Sequence, residues 1–321
     1  MENDYRDNTL RAADEVMQRK DQQSTPRGYL GMSGMYECTR QVWYAWRMVK
    51  RIGFDAPTLK RFASGHADED VFAARLKKVA GIDLITADPA TGRQIGHRDI
   101  SEHFRGHQDG QIRGLRDDPH NWYVWEHKSV NERNFRKFQR DIDKWGEEHA
   151  LREWNLTYFN QAQLYMYYSG VWRHYLTATT PGCRDDMKCI TLYQPEVAKG
   201  LVRKAKEVIF STDRPAPIST APEKAFSCKF CGYKDFCTDK EYVTRNCRTC
   251  LHSEPSTDGD ALWKCNKHNK KLNIHEQLRG CPDQRFLPSL VPHDVTFADD
   301  TGEDLKIIYR TADGGEWVDG G

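Results

Sequence analysis

The 321-residue chain contains no apolar run approaching the roughly 18 residues that span a bilayer, and no leader pattern opens it. Neither a membrane partner nor export is therefore expected. A charge imbalance is also missing: 48 basic residues meet 47 acidic ones, leaving +1. Bulk charge therefore announces no polyanionic partner. No internal repeat of useful length occurs, which excludes solenoid architectures. The C-x3-C-x2-C spacing of radical S-adenosylmethionine enzymes is absent too.

What is present is a globular composition: 38% apolar and 30% charged residues, with nine tryptophans and fourteen tyrosines. The length suits one large domain or two smaller ones, with ample chain for a core. Ten cysteines are many for a chain without an export signal, so metal binding is a better reading than a disulfide framework. The charge is unevenly spread. Residues 291–321 hold eight acids against two basic residues, leaving the rest basic.

Residues 1–27 read as a polar arm or loosely docked helix. A helix is expected from Ser33, as N-cap, through Trp43 and Trp46 towards Arg51. Another is expected over 57–80, carrying Leu59, Phe62, Ala63, Phe72, Leu76 and Val79 at helical spacing and ending at Gly81. Strands follow between 93 and 130, then helix over 131–170 with Asn131 as cap, strands over 172–193, and an amphipathic helix over 195–210. Residues 211–225 are a connector. A cysteine-rich segment over 241–290 and an acidic tail over 291–321, read as disordered, complete the chain. The alternation suggests a mixed α/β domain.

The expected hairpin carries the chemistry. With its turn centred between Asp117 and Asp118, residues whose numbers add to 235 face each other, and Asp109 and Glu126 satisfy this. Directly opposed side chains place their Cβ atoms about 4.5–5.5 Å apart. Two carboxylates so close repel unless a cation sits between them. An oxygen-rich pocket of that kind suits Mg²⁺ or Mn²⁺. Lys128 lies two residues beyond Glu126 and shares its strand face. Singly, Asp-Gly in a turn and Glu-x-Lys on a strand are ordinary surface features. The run Trp122-Tyr-Val-Trp125 before Glu126 argues instead for burial, and buried acids need a partner or a metal.

Gly106-His-Gln-Asp109-Gly110 followed by Val124-Trp-Glu126-His-Lys128 resembles the PD-(D/E)xK nuclease superfamily, in particular its RecB-like branch. The resemblance covers roughly residues 28–240. It implies a restriction-endonuclease-like core, a central mixed sheet flanked by helices. The preceding helix motif appears as Gly65-His66-Ala-Asp-Glu69, where Glu69 matches the lambda-exonuclease-like wording and His66 is the other candidate ligand. Either residue also suits a surface or capping role. Gln161 and Tyr165 match the Gln-x-x-x-Tyr signature of the helix after the lysine and would border the active site. Tyr167 and Tyr168 are read as core aromatics. The resemblance further implies that the carbonyl of His127 completes the metal site.

Cys228-x2-Cys231-x5-Cys237 offers three thiolates, and Cys38 lies far upstream. Four thiolates hold either zinc or an iron–sulphur cluster, and spacing alone does not decide. One cysteine before the core and a C-x2-C-x5-C group after it resembles the iron–sulphur RecB-like nucleases, including AddB and the CRISPR-associated adaptation exonucleases. A 4Fe–4S staple joining the ends of the domain is what that resemblance implies. A second set, Cys247, Cys250, Cys265 and Cys281, reads as a zinc site, with His268 or His252 as substitutes for one thiolate. Cys183 and Cys189 read as ordinary thiols.

Two functions follow. One is a Mg²⁺- or Mn²⁺-dependent deoxyribonuclease, an exonuclease by family analogy, acting in phage or bacterial DNA recombination, repair or processing. Arg133, Arg136, Lys137 and Arg140, interleaved with Phe135 and Phe138, would track the DNA backbone or else form a solvated helix face. A single-strand annealing protein or another recombination factor is the protein partner that setting implies. The other is a non-catalytic nucleic-acid-binding or partner-binding module on the same scaffold.

Overall fold

Small polar caps set where the helices start. In the computed structural model, which describes residues 7–299 and 305–319, Asp55 accepts from the Thr58 N–H at 2.9 Å and opens the helix Ala56–Leu76. Asn131 accepts from the Asn134 N–H at 2.9 Å and opens Glu132–Trp145. The helical stretch expected over 131–170 is three helices. Gly146, at φ +75°, turns the chain into Glu147–Trp154, and Asn155 caps Leu156–Ser169. Gly170, in the left-handed region, ends the last of them. The remainder of the expected N-terminal arm and acidic tail, residues 1–6, 300–304 and 320–321, lies outside the described residues.

The chain falls into two compact units. The first comprises residues 7–24, 53–97 and 106–201. Its centre is a five-stranded sheet in the order Asp83–Ile85, Gly110–Arg113, Tyr123–Ser129, Arg173–Thr179, Asp186–Leu192. All neighbours pair antiparallel except Tyr123–Ser129 with Arg173–Thr179, which run parallel. A parallel pair needs a long crossover, and the three helices over 132–169 supply it. The sheet is therefore mixed and flanked by helices, as the α/β reading expects. Phe72 of the Ala56–Leu76 helix packs with Leu84, Ile112, Tyr123 and Trp125 into one buried cluster. Three expected members of that helix's apolar stripe are exposed: Phe62 is 47% exposed and meets Phe54 edge-on, Ala63 is exposed beside it, and Val79 is 39% exposed beyond the helix end.

Gly114 fixes how the hairpin passes the helix's exit. It sits at φ +87°, and a Cβ there would stand 1.8 Å from the Gly81 carbonyl oxygen. Gly114→Ala combines the left-handed penalty with overpacking. We expect a loss of about 2–4 kcal/mol, read as a lower urea midpoint with an unchanged slope.

The second unit comprises residues 25–52, 98–105 and 202–319 among those described. The helix expected from Ser33 starts later. Met32–Gly34 is a single 3₁₀ turn, and the α-helix is Thr39–Trp46 with Cys38 at its N-cap. The chain bends at Met35, across which the Tyr36 N–H donates to the Gly34 carbonyl at 2.8 Å. A three-stranded antiparallel sheet of Ser253–Pro255, Trp263–Cys265 and Lys270–Leu272 organises the cysteine-rich segment. The acidic tail is not disordered where it is described. Asp294–Asp299, Lys306–Arg310 and Glu316–Asp319 form an antiparallel sheet, because Ile307 and Tyr309 alternate inward against Val291. No helix among the described residues is long and apolar enough to cross a membrane.

Candidate functional site

The hairpin register brings the two acids together. Gly110 pairs with Trp125, Gln111 with Val124 and Ile112 with Tyr123, so every pair sums to 235 and the next pair outward is Asp109 with Glu126. Asp109 lies in the bend before Gly110–Arg113, half-buried, and its Oδ2 accepts the His127 N–H at 2.9 Å. Gly110 is required beside it, since a Cβ would meet the Ile85 carbonyl at 2.7 Å.

Glu126 is 2% exposed. One of its oxygens, Oε1, accepts from Gln161 Nε2 at 2.7 Å and is ion-paired with Lys128. The other, Oε2, is buried and has no hydrogen-bond partner among the described residues. An orphaned, buried carboxylate oxygen in a group with a second acid nearby is a poor arrangement without a cation. Burial, and then the Asp109 charge, push the Glu126 carboxyl up, with Lys128 opposing. Burial pulls Lys128 down, but Glu126 and Asp109 more than offset this and hold the ammonium above the usual lysine range. Its Nζ also lies 5.3 Å from the Tyr158 ring centre. Tyr165 stays a neutral phenol, raised by burial and then by Glu126, with Gln161 Nε2 at 3.4 Å from its hydroxyl.

Of the two helix candidates, Glu69 is the one within electrostatic reach. Burial, then Asp109, raise its carboxyl to about 7. His66 is exposed on the same helix. Neighbouring Asp68 is buried and engaged elsewhere, accepting from Ser129 Oγ at 2.6 Å and the Gly182 N–H at 3.1 Å. Sequence reasoning passed over Asp68, and only the helix's rotation shows which acid of the pair faces the hairpin. The His127 ring takes no part in the acid cluster. It stacks on Phe72 at 4.8 Å, and its nitrogens meet Thr177 and Thr179 at 3.1 and 3.2 Å. Burial, then Lys128, hold it neutral at about 4.

Glu69 carries a pH signature. Its folded pKa of about 7 lies above the ordinary 4.5, so the folded state binds the proton more tightly. That stabilisation is complete below pH 4.5 and is lost as pH rises towards 7. Relative to Glu69→Gln, the metal-free wild type should lose thermal stability across this window. A difference between the two melting temperatures that stays flat with pH would contradict the placement.

The basic helix Glu132–Trp145 is mixed. Arg133 and Arg140 are exposed, and Arg136 makes only a loose pair with Glu132 at 3.7 Å. Lys137 is not free to track a backbone: it pairs with Asp141 at 2.6 Å and reaches the Glu153 and Trp154 carbonyls at 3.4 Å. Phe138 is buried and stacks on Trp154 at 4.2 Å. Tyr167, expected in the core, is 38% exposed, because it lies in the last turn of the Leu156–Ser169 helix, beyond the stretch 159–166 that is buried all round.

In the second unit, Cys38, Cys228, Cys231 and Cys237 all line one small pocket beside Tyr44 and Tyr233. Burial raises the Cys231 thiol, and Cys237, Cys38 and Cys228 add to the effect. Cys247, Cys265 and Cys281 line a separate cavity of about 730 Å³ with His268. Cys250 is buried within reach of Cys281 and Cys265. Cys189 is wholly buried in its strand, and Cys183 Sγ donates to the Asp68 carbonyl at 3.3 Å.

No family model matches the sequence, and no curated protein does. Solved structures do align with the fold. SSO0001 is 12% identical with a TM-score of 0.41, over 74% of this chain and 100% of its own. The alkaline exonuclease LHK-Exo from Laribacter hongkongensis is 12% identical with a TM-score of 0.38, over 60% and 90%. The same exonuclease in complex with dAMP is 13% identical with a TM-score of 0.38, over 56% and 86%.

Proposed function

We propose that the protein is a divalent-metal-dependent deoxyribonuclease. The observation that carries this reading is the buried Glu126 carboxylate, with Oε2 unpartnered and Asp109 opposite Glu126 in the hairpin register, beside an amine. Glu126, Asp109 and Glu69 would hold one or two Mg²⁺ or Mn²⁺ ions, with the His127 carbonyl as a further oxygen donor. All these donors are hard oxygens, the set these ions prefer. When bound, such an ion supplies an activated water and charge neutralisation at a phosphate.

The chain's own residues do the rest. Lys128 keeps its proton at working pH and so acts as a fixed positive charge towards the phosphate, not as a base. Gln161 holds Glu126 Oε1 and thereby sets which way the carboxylate points. Tyr165 offers a neutral hydroxyl next to Gln161. Arg133, Arg136 and Arg140 supply exposed charge for a DNA backbone. The exonucleolytic mode rests on the resemblance of the sequence motifs to the RecB-like and lambda-exonuclease-like nucleases.

The test is digestion of linear against closed-circular DNA with Mg²⁺ or Mn²⁺. Loss of linear substrate with the circle intact is the expected result. Protein that binds DNA yet never cuts either form with any divalent ion would end the reading. Cys38, Cys228, Cys231 and Cys237 would hold a 4Fe–4S cluster, joining the start of the Thr39–Trp46 helix to the 228–237 segment. Anaerobically purified protein should then be brown with four irons per chain, and Cys228→Ser should be colourless.

A further inference from the structure

The nuclease reading leaves the second set of thiols unused. Three separate chain segments bring them together. Cys247 opens a 3₁₀ turn whose cap, Asn246, accepts from the Arg248 and Thr249 N–H groups at 2.8 and 3.1 Å, and Cys250 follows that turn. Cys265 ends the strand Trp263–Cys265, paired with Ser253 on one side and Lys270 on the other. Cys281 follows the helix Ile274–Arg279 after Gly280, whose φ is +67°. Cys247, Cys265 and Cys281 line one cavity, and Cys250, buried, closes the turn that Cys247 opens.

His268 stands at the rim of this group. Its Nε2 lies 3.0 Å from Asp283 Oδ2 and 3.9 Å from Cys281 Sγ. The ligand-capable atoms of His268, Cys281 and Asp283 fall within 4.8 Å of one another. Around the same cavity stand Arg245, Lys270 and Arg279. Four thiolates on a divalent ion carry a net charge of about −2, and cations beside such a site offset it. Of the three, Lys270 already pairs with Glu276 of the same cavity at 3.1 Å, so the offset falls to Arg245 and Arg279.

We infer that Cys247, Cys250, Cys265 and Cys281 form a closed four-thiolate site for one zinc ion, with His268 outside the coordination sphere as a positioning residue. The His268 Nε2–H donates to Asp283 at 3.0 Å, which leaves that nitrogen no lone pair for the ion and holds the ring beside the Cys281 sulphur. A closed tetrahedral site of this kind has a structural role. Here it ties the 3₁₀ turn, the small sheet and the Ile274–Arg279 helix into one module, where short elements alone offer little core.

The experiment uses the full chain, purified anaerobically and dialysed against a chelator. Elemental analysis should return one zinc per chain in addition to any iron. Cobalt-substituted wild-type protein should show the visible bands of a tetrahedral all-sulphur site. Cys281→Ser should lose the zinc. His268→Ala should retain one zinc with an unchanged cobalt spectrum, but yield it to a competing chelator about 10- to 100-fold more readily. The ligand assignment is overturned if His268→Ala empties the site while Cys281→Ser keeps it. It is equally overturned by a wild-type cobalt spectrum with nitrogen in the coordination sphere. The site itself is overturned if wild-type protein neither holds nor takes up zinc, or if iron occupies this set. None of these readouts depends on DNA cleavage.

Discussion

Asp109→Asn is expected to abolish metal-dependent DNA cleavage, by at least about 100-fold, while the protein stays folded. The substitution keeps shape and retains an oxygen that can accept the His127 N–H, at 2.9 Å in the wild type. It removes one of the charges that push Glu126 and Glu69 up. Two consequences separate this from simple unfolding. Without metal, the variant should be no less stable than wild type above pH 7, because a like-charge repulsion has gone. With metal, its thermal shift should nearly vanish, whereas wild type at 100 times the dissociation constant gains about 2.7 kcal/mol. If the lysine serves as the proposed positive charge for the phosphate and binds no ion, Lys128→Gln should cut activity by a similar factor with the metal-induced shift preserved. A variant at either position that digests DNA at the wild-type rate would remove the mechanism.

The largest effect on stability should come from a residue far from that chemistry. Arg248 is 1% exposed and makes three side-chain hydrogen bonds: Nε to Gln277 Oε1 at 2.8 Å, and its terminal nitrogens to the Trp46 and Gly28 carbonyls at 2.9 and 2.7 Å. Its guanidinium lies 4.3 Å from the Trp46 ring centre and 5.0 Å from that of Trp263. Burial, with Arg47 adding to it, lowers Arg248 to about 9, so the group is still charged at neutral pH. Arg248→Met fills much of the volume but leaves three buried acceptors without donors. We expect a loss of at least about 3 kcal/mol, seen as a large drop in the urea midpoint by tryptophan fluorescence. Arg248→Lys should recover little of it, because one ammonium cannot serve three acceptors in a plane while stacking on two rings. A midpoint within experimental error of wild type for Arg248→Met would show that the stacked guanidinium contributes little.

The hairpin was readable because its geometry is local. A strand's side chains alternate with a period of two, so the 235 register puts Asp109 opposite Glu126, although the tight turn is Leu115–Asp118, centred one residue earlier than expected, and the residues after it restore that register. Helix caps such as Asn131 were readable for the same reason: a side chain three residues from its partner needs no distant contact. Cysteine spacing within ten residues likewise announced the 228–237 group.

Other features depend on how remote segments meet. Asp68 and Glu69 are adjacent acids on one helix, and nothing in their order says that Asp68 serves Ser129 and Gly182 while Glu69 turns towards Asp109. Arg248 sits in a polar, cysteine-rich stretch and reads as surface, until Trp46 and Gly28, some two hundred residues earlier, close around it. The tail's acids suggested solvation, yet Ile307 and Tyr309 found an apolar neighbour in Val291. The amino-acid order by itself determined the α/β alternation, the paired acids and the two thiol groups, since each rests on spacing within a single element or turn. Tertiary structure alone decided which helix acid turns towards Asp109, that Lys137 is spent internally, that His268 stands beside Cys281, and that an arginine can be core. Those outcomes depend on desolvation and partner geometry, which exist only once distant parts of the chain have packed together.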